Sequence, residues 1–416
     1  MKIKEGNDFM NLFRKKKNDT PKGWNVEARL LYGNYVVDDI YAACTACYDN
    51  AKPNISFKEK INYITKRIKA GHDSVTEHGF VTMIISGIPN DELAMHSINN
   101  LRDACQYLRV FSATLEDGTI SLLVGGSIRG YRHLIKTIYD REDILFEKVM
   151  YVLNHTLTKD LFIDLLEDDS LIPYDLRNFL EVPDISICAG GHKYITTENG
   201  DVLMTNECDC DMKPIIIDNP GVEIFDYITY GEYLVINNVA GQYGFTYKEI
   251  SEVIPVSILF KNMSRTATHQ LVRHRNAITQ ESQRYVDYSK APFTTPVDDD
   301  KEYLVNIFGT SKKITLEDLG KELCTVYQQL INQGLKKEEA RAYLPSNVQC
   351  KRLYMTFTLS SLNKFLELRT DPHAQSEIRS YATAIKNSIY NNELLLRGVY
   401  YGLLPSLIYN EEENEN

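Results

Sequence analysis

The segment RHRNAITQESQRY at residues 273–285 concentrates side chains that could bind an anionic ligand. Ser282 and Arg284 bring a hydroxyl, backbone N–H groups and a guanidinium close together in the sequence. This combination suits a phosphate, because arginine matches phosphate geometry with two parallel hydrogen bonds. A solvated, charged helix end with surface ion pairs would explain the same arginines. Residue chemistry alone leaves both explanations open.

A strand pattern and then a helix capped by Ser264 precede this segment. On that helix Thr266, Gln270 and Arg273 share one face, because their spacing follows the helical period. Arg273 and Arg275 would lie about 200° apart on a regular helix, at 100° per residue. We therefore expect either that the helix ends at these arginines or that the two contact different groups.

The composition is that of an ordinary globular protein and argues against several classes. The chain has 416 residues, of which 43% are hydrophobic, enough for two or three domains. Its net charge of -11 argues against a general nucleic-acid binder, which usually has a basic surface. No apolar run approaches the roughly 20 residues of a membrane span, and no secretory signal pattern is visible. We therefore expect the eight cysteines to be reduced thiols in the cytoplasm.

The order of strand and helix patterns predicts an α+β fold in which a central β-sheet is flanked by helices. A strand pattern at residues 27–37 is followed by a helix capped by Asp38 or Asp39. A second helix is predicted at residues 57–70, and the apolar run that begins at Gly79 predicts a buried strand. Residues 90–250 carry weaker patterns, and we see no internal repeat.

Several motifs, in order, resemble the flavin-dependent thymidylate synthases. RHR, followed after a short spacer by SQRY, resembles the signature of that family. AACTACYDN resembles its first-helix element, and HDSVTEH resembles its His-x-Ser-x-x-Glu-His segment before a strand. VSILFKNMSRTATHQLVRHR, ARAYLP and FLELRTDPHAQSEIR resemble further parts of its sequence. These matches lie at residues 27–88, 253–293 and 338–390.

The resemblance implies that the protein makes dTMP from dUMP. FAD would carry the hydride, methylenetetrahydrofolate would donate the carbon, and NADPH would be the reductant. The resemblance also implies a homotetramer with active sites shared between subunits. The predicted organisation is a frayed segment at 1–25, a discontinuous catalytic domain at 26–89 and 251–405, an inserted subdomain of unassigned role at 90–250, and an acidic tail at 406–416.

The resemblance also assigns site residues by position. Arg369 matches the arginine assigned to the uracil ring, where a guanidinium would stabilise charge that develops on the pyrimidine. The phosphate would lie at the Ser282–Arg284 turn with help from Arg341. The residues implied to bind dUMP are Gln270, Arg273, Glu281, Ser282, Gln283, Arg284 and Arg341. The residues implied to bind FAD are His72, Ser74, Glu77, Arg273, His274, Arg275 and Gln280.

The sequence departs from the family pattern at a few of these positions. The spacer between RHR and Ser282 is one residue shorter than in the commonest form, and Gln280 stands where a glutamate is usual. Thr358 and Ser360 stand where many members have an asparagine and an arginine that touch the flavin nucleotide. These departures bear on the FAD adenosine contacts more than on the dUMP pocket.

Two other functions stay open from the sequence. A relative could use the same pocket for another pyrimidine nucleotide or stop at a hydroxymethyl product, because fold and pocket do not fix the product. A non-catalytic nucleotide- or nucleic-acid-binding protein could instead use the arginine cluster. Such a protein would bind with a steep salt dependence and would carry no flavin.

We predict no metal site. The spacing of His72, Glu77 and His78 differs from that of zinc-binding helices of the HExxH and HxxEH types, and the segment favours a turn. Cys44 and Cys47 are predicted to be half-buried core thiols. A second set of candidate ligands has no common zinc-finger spacing, which favours scattered thiols over a zinc site. That set is Cys188, His192, Cys208 and Cys210.

Overall fold

The fold was analysed in a computed structural model. It describes residues 24–33, 36–48, 55–138, 143–154, 161–162, 194–196, 202–204, 215–226, 230–294, 301–307 and 309–391. Three predicted features lie outside these residues: the frayed segment except for residues 24 and 25, the acidic tail, and the set Cys188, His192, Cys208 and Cys210. Among the described helices, none combines the length and apolarity needed to cross a membrane.

Strands and helices are interspersed along the chain. The strands are β1 Glu27–Tyr32, β2 Phe80–Ile88, β3 Leu108–Thr114, β4 Ile120–Ser127, β5 Tyr194–Thr196, β6 Val202–Met204, β7 Ile215–Ile217, β8 Val222–Asp226, β9 Pro255–Ser264, β10 Ala277–Gln280, β11 Tyr303–Ile307, β12 Thr310–Ile314 and β13 Gln349–Thr358. The helices are α1 Val36–Tyr48, α2 Phe57–Lys69, α3 Glu92–Ala104, α4 Ile128–Ile138, α5 Ile144–Asn154, α6 Tyr230–Gln242, α7 Tyr247–Ser251, α8 Arg265–Leu271, α9 Leu316–Asn332, α10 Lys337–Ala340, α11 Leu359–Thr370 and α12 Ser376–Asn391.

The strands form two larger antiparallel sheets. The first sheet has the order β1-β2-β4-β3, and the second has the order β10-β13-β9-β8-β7. The predicted mixture of helices and sheet is confirmed, but the expected single central sheet is two sheets in the described part of the chain. Strands from the segment 90–250 extend both of them. The division of the chain at residues 90 and 250 stays a prediction.

Local sequence explains several helix ends. Ser264 caps α8, since its side chain accepts a hydrogen bond from the N–H of Ala267, as the sequence predicts. Gly71 ends the α2 region with a φ of 87°, a left-handed conformation that glycine adopts without a steric penalty. The first helix begins at Val36, ahead of the predicted Asp38 or Asp39 cap, and Asp39 is buried. That prediction was wrong because the preceding strand ends at Tyr32.

The core lies between the two sheets and on the outer face of the first. Ile84 and Leu123 of the first sheet pack in one buried cluster with Ile258 and Phe260 of the second. Their neighbours Met83 and Val124 point the other way, into a second cluster formed with the helices. This alternation follows the two-residue period of a strand. Helix α1 lies against the second sheet, where Ala43 and Ala46 contact the cluster of Leu259 and Tyr354.

Candidate functional site

The arginine signature lies where helix α8 ends. Residues Val272–His274 continue α8 as one 3-10 turn, and Arg275 adopts a left-handed conformation with a φ of 54°. The chain then enters β10. The first of the two sequence alternatives is therefore confirmed: the helix ends here. The side chains of Arg273 and Arg275 are both exposed, and neither guanidinium makes a hydrogen bond or ion pair with the described residues.

Arg369 lies at the centre of a polar cluster between α8 and the end of α11. Its Nε donates to His274 Nε2 at 3.0 Å, and its terminal nitrogens donate to Gln270 Oε1 at 3.2 Å and to the Gln270 carbonyl at 3.4 Å. Gln270 is held in turn by the amide of Gln375. The guanidinium is therefore half-buried and fixed in direction rather than solvated at a helix end.

His274 accepts from Arg369 because it is neutral. Burial, followed by the charges of Arg369 and Lys364, lowers the pKa of His274 from 6.5 to about 4. Its ring also packs edge-on against Phe365, at 5.2 Å between centroids. With Nε2 accepting, the proton of the neutral ring lies on Nδ1. The cluster therefore presents the positive charge of Arg369 without a second charge from the histidine.

A second polar cluster surrounds Ser282 and Arg284. The N–H of Arg284 donates to Ser282 Oγ at 3.3 Å. The Arg284 guanidinium donates to one carboxylate oxygen of Glu338, through Nε at 3.2 Å and a terminal nitrogen at 3.0 Å. Arg341 Nε donates to the Glu338 carbonyl at 3.1 Å, so the two arginines meet at one residue of α10. The predicted phosphate ligands are thus brought together, with a carboxylate already among them.

Glu281 differs from its neighbours because it is buried, with 1% of its surface exposed. One of its carboxylate oxygens accepts from the N–H of Lys351 at 2.8 Å, and its carbonyl accepts from Arg265 at 2.6 Å. Arg265 also donates to the hydroxyl of Tyr288 at 3.0 Å. These contacts attach the start of the Ser282 turn to β13. Gln283 is half-buried and makes no hydrogen bond with the described residues.

The end of helix α1 completes the surroundings of Ser282. The N–H of Ser282 donates to the carbonyl of Cys47 at 3.1 Å. The ring of Tyr48 lies 5.5 Å from that of Tyr285, and its hydroxyl lies 3.3 Å from His72 Nε2. Residues from the start of the chain and from the arginine signature therefore meet in one place.

The turn that follows His72 is docked on the second sheet by His78. His78 is fully buried, and its ring nitrogens lie 3.0 Å from Thr356 Oγ1 and 2.9 Å from Thr279 Oγ1. Burial lowers the pKa of His78 to about 3, so the ring is neutral. This contact joins the turn that contains Glu77 to strand β10. Ser74 is exposed at the surface of the same turn.

Two arginines of helix α4 neutralise the acidic residues of this turn. Arg129 forms an ion pair with Glu77, and Arg132 Nε donates to Asp73 at 2.8 Å. Arg132 is only 2% exposed, whereas about a third of Arg129 is exposed, at 35%. Sequence reasoning missed both arginines, and also Tyr48 and Glu338. The ion pairs join segments that are distant in sequence, although IRGYR after a strand pattern was a signal that could have identified the two arginines.

The donors present fit a flavin dinucleotide. Arg273 and Arg275 are exposed guanidinium groups with no protein anion among the described residues, which suits the two linked phosphates of FAD. On β10, Gln280 Oε1 is buried without a hydrogen-bond donor in the described part of the chain. At the two departures from the family pattern, Thr358 caps α11 by accepting from Ser361 N–H at 3.2 Å, and Ser360 donates to Glu252 at 2.7 Å. Both side chains therefore have protein partners.

The cysteines of the described chain are free thiols. Cys44 is buried and Cys47 is half-buried, close to the prediction for both. Burial raises the pKa of Cys44 to about 12, so it is protonated and a poor nucleophile. Within the described ranges, no three or more His, Cys, Asp or Glu side chains form a group that could hold a metal ion.

Comparison with known proteins identifies similar chains. Residues 235–392 match the family model "Thymidylate synthase complementing protein". The flavin-dependent thymidylate synthase of Pyrococcus furiosus is 34% identical over 142 residues, which are 33% of this chain and 56% of that protein. The enzyme of the same description from Thermococcus onnurineus is 30% identical over 161 residues, which are 36% and 61%. The chain thus spans little more than half the length of these relatives.

A solved structure is also similar to part of the chain. The UMP/dUMP methylase PolB from Streptomyces cacaoi, bound with 5-Br UMP, is 22% identical, with a TM-score of 0.31, over 42% of this chain and 89% of that one. The sequence matches confirm the resemblance that the motifs indicate. The residues that match the family model include the arginine signature.

Proposed function

We propose that this protein catalyses FAD-dependent reductive methylation of dUMP to dTMP, with methylenetetrahydrofolate as carbon donor and NADPH as reductant. The observation that carries the proposal is the Arg369 cluster, in which Gln270 and a neutral His274 fix a half-buried guanidinium. It adjoins the exposed Arg273 of the signature. Relatives that match about a third of this chain are named flavin-dependent thymidylate synthases, which supports the same conclusion.

The two polar clusters divide the recognition of dUMP. Arg369 would contact the uracil ring and stabilise negative charge that develops on it. Ser282, Arg284 and Arg341 would bind the phosphate, and displacement or sharing of the Glu338 carboxylate would accompany binding. Gln270, Arg273 and Gln283 would complete the pocket. Glu281 would act from within the fold, by holding the Ser282 turn on β13.

The proposed flavin site combines residues from both ends of the described chain. Arg273, His274, Arg275 and Gln280 would bind FAD from the arginine signature and β10. His72, Ser74 and Glu77 would approach from the turn that His78 docks on the same strand. When bound, FAD supplies the hydride for the reduction, so the chain needs no attacking cysteine. Cys44 is buried and protonated, which is consistent with a reaction that uses no cysteine nucleophile.

We also propose that the protein is a cytoplasmic homo-oligomer in which the site residues come from segments 26–89 and 251–405. A tetramer is the state that the resemblance implies. The net charge of -11 supports a small-molecule substrate rather than a nucleic acid.

Two measurements on the purified full chain test the proposed function. A yellow protein with flavin absorbance is expected, and its absence would exclude FAD-dependent chemistry. Mass spectrometry after incubation with dUMP, methylenetetrahydrofolate and NADPH should then detect dTMP. A hydroxymethyl product, or turnover of UMP in preference to dUMP, would instead identify a related pyrimidine nucleotide methylase. Salt-sensitive nucleic-acid binding without flavin would identify a binding protein.

A further inference from the structure

Four neighbouring strands in each of the two larger sheets share one spatial order and one order along the chain. In the first sheet the order is β1-β2-β4-β3, and four neighbouring strands of the second have the order β8-β9-β13-β10. Every neighbouring pair is antiparallel. In both, one helix follows the first strand (α1 or α6), one follows the second strand and two follow the last. Helix α7 corresponds to the 3-10 turn Asp73–Glu77 before β2. Helix α2 has no counterpart in the second set, and β11, β12, α9 and α10 have none in the first. The first connecting helices, α1 and α6, each have 13 residues.

The pairing registers also agree residue by residue. Tyr32 pairs with Thr82 directly after a register shift in the first sheet, and Asp226 pairs with Ser257 directly after a shift in the second. Along the next ladder Thr82 pairs with Gly125. Its counterpart Ser257 pairs with Thr356. Two unrelated sheets could share a strand order by chance. A shared pairing register with a register shift at the same place is much stronger evidence of a repeat, because a one-residue slip would turn every side chain of the strand to the opposite face of the sheet.

Counting from these pairs gives the counterparts in the turns before β2 and β9. Thr76 donates to the carbonyl of Asp73 at 2.6 Å, and its counterpart Ser251 donates to that of Lys248 at 2.7 Å. The next residues in the two chain segments, Glu77 and Glu252, also correspond. Glu77 pairs with Arg129 of α4. Glu252 accepts from Ser360 of α11, which occupies the position of Arg129, at 2.7 Å.

The contacts between the two sheets are reciprocal. His78 of the first set of elements lies against Thr356 of the second, at 3.0 Å between Nδ1 and Oγ1. Its counterpart Val253 lies against Gly125, the counterpart of Thr356, where an added Cβ would be 2.5 Å from Cβ of Val253. The Val253 carbonyl also accepts from Thr82 at 2.7 Å. Reciprocal contacts between corresponding residues are the property of an interface with two-fold symmetry.

The two sets of elements have diverged in complementary ways. At the position of Arg369 the first set has Ile138, and it has no RHR sequence before β3. The second set has Tyr247 at the position of His72 and Glu249 at that of Ser74. The family match at residues 235–392 covers most of the second set and none of the first. Each set thus keeps the candidate site residues that the other lacks.

We propose that residues 27–154 and 222–391 are two copies of one folding unit, related by an approximate two-fold axis. Together the two copies form one nucleotide-binding cleft per chain that has the full set of candidate site residues. The second copy gives this cleft its signature arginines, and the first gives it the turn at Glu77 with the guanidinium of Arg129. The inference rests on the proposed function for the identity of the ligand. The internal repeat corrects the expectation from the sequence, in which none was visible.

Arg129 is the new binding residue that this arrangement assigns. Its ion pair with Glu77 fixes its direction, and the exposed part of the guanidinium remains able to contact a phosphate of the dinucleotide. The corresponding place in the second copy has only the Ser360 hydroxyl, paired with Glu252. The symmetry-related cleft therefore lacks a guanidinium at this position, and the two clefts are not equivalent.

Equilibrium binding of FAD to the full chain, followed by flavin fluorescence, tests this assignment. Arg129→Ser should raise the Kd for FAD roughly ten- to hundredfold, the scale of one hydrogen bond to a charged group. Arg129→Lys keeps the charge beside Glu77 but not the fork of donors, so its Kd should fall between those of the wild type and Arg129→Ser. Thermal unfolding of each variant shows whether the fold is intact. If Arg129→Ser unfolds, the Kd of Arg129→Lys tests the assignment by itself.

The double variant Arg129→Ser, Ser360→Arg separates the two copies. It moves the guanidinium to the corresponding place in the other copy, so it should not restore FAD binding. Restored binding, or a wild-type Kd in both Arg129→Ser and Arg129→Lys, would overturn the inference while the proposed function stood. A wild-type chain that binds no FAD would overturn both. Ser360→Ala is the matched control and should bind FAD like the wild type.

Discussion

Arg369 illustrates how one side chain is prepared for catalysis by its neighbours. An arginine at a helix end usually interacts weakly with the helix dipole, by under about 1 kcal/mol. Here Gln270 and His274 hold the guanidinium in one direction. Burial, and then the charge of Arg273, lowers its pKa, yet arginine stays protonated at any physiological pH. The positive charge is thus fixed before the substrate arrives.

Replacing Arg369 by alanine should mainly affect the chemical step. We expect kcat to fall by roughly two to three orders of magnitude, because one preorganised donor to a developing oxyanion is lost. Flavin content and thermal unfolding should stay near wild type. Steady-state kinetics with dUMP measures the effect. Turnover close to the wild-type rate would remove Arg369 from the catalytic machinery.

Arg284→Ala is the contrasting variant. Its guanidinium is placed to contact a phosphate, and such a contact is equally strong in the ground state and the transition state. We therefore expect KM for dUMP to rise while kcat changes little. Isothermal titration with dUMP should show the same loss directly. A fall in kcat with unchanged dUMP affinity would mean that Arg284 contacts the reacting ring instead.

Glu338 should weaken dUMP binding in the wild-type protein. Its carboxylate holds Arg284 at 3.0 Å and would repel an arriving phosphate. Glu338→Gln keeps the size and removes the charge, so the Kd for dUMP should fall by roughly twofold to fivefold, the range of an exposed ion pair. Glu339→Gln changes the adjacent carboxylate, which accepts from the backbone N–H of Lys336 instead, and serves as the control. Unchanged or weaker binding in Glu338→Gln would show that the carboxylate positions Arg284 for the phosphate.

At the scale of elements, His78 joins the turn before β2 to strands β10 and β13 of the other sheet. A hydrogen bond between Thr356 and Ser257, at 2.8 Å, extends this contact to β9. The histidine is buried and neutral, so the junction depends on its staying unprotonated. The order of the turn that follows His72 therefore depends on pH through the protonation of His78.

Acid should destabilise the protein through this junction. The folded-state pKa of His78 is lowered from 6.5 to about 3, so the unfolded chain binds more protons between those values. Stability is present above about pH 6.5 and is lost as the pH falls towards 3, by up to about 1.4 kcal/mol per pH unit. Urea unfolding at several pH values should show this slope. The slope should be smaller in His78→Gln and unchanged in His96→Gln, an exposed control; equal slopes in all three proteins would contradict the assignment.

At the scale of the whole molecule, the internal two-fold changes the number of chains that we expect in the oligomer. A match of 142 residues covers 56% of the Pyrococcus furiosus relative, whose chain is therefore about 250 residues long. This chain has 416 residues and, by our inference, two copies of the unit. Two chains would provide the four units of the tetramer that the resemblance implies. We expect light scattering to give about twice 47.7 kDa, and a mass four times that of the chain would contradict this.

The difference between the two copies sets the number of dUMP molecules that each chain binds. Only the second copy contains Arg369 and the Ser282–Arg284 turn, so one dUMP should bind per chain. Isothermal titration of the holoenzyme measures this ratio. Saturation at two dUMP per chain would require a second cleft with the dUMP-binding residues. It would contradict the inference that only one of the two clefts has them.

The sequence by itself determined the local chemistry and much of the secondary structure. Ser264 before an apolar helix predicts its own cap, and Gly71 predicts the end of α2, because caps and left-handed turns depend on residues a few positions away. The arginine signature and the resemblance to a family were also visible in the sequence, as order and spacing along the chain. The matches with relatives confirmed the resemblance.

Only the tertiary structure decided which of these residues meet. The contact of Tyr48 with Tyr285 joins segments separated by more than half the chain, and Tyr48 also contacts His72. The pairing of Glu77 with Arg129 likewise depends on α4 crossing the turn. The internal repeat stayed hidden because its two copies share few residues and agree in strand order and register. Register is fixed by pairing between strands, and pairing is a property of the folded chain.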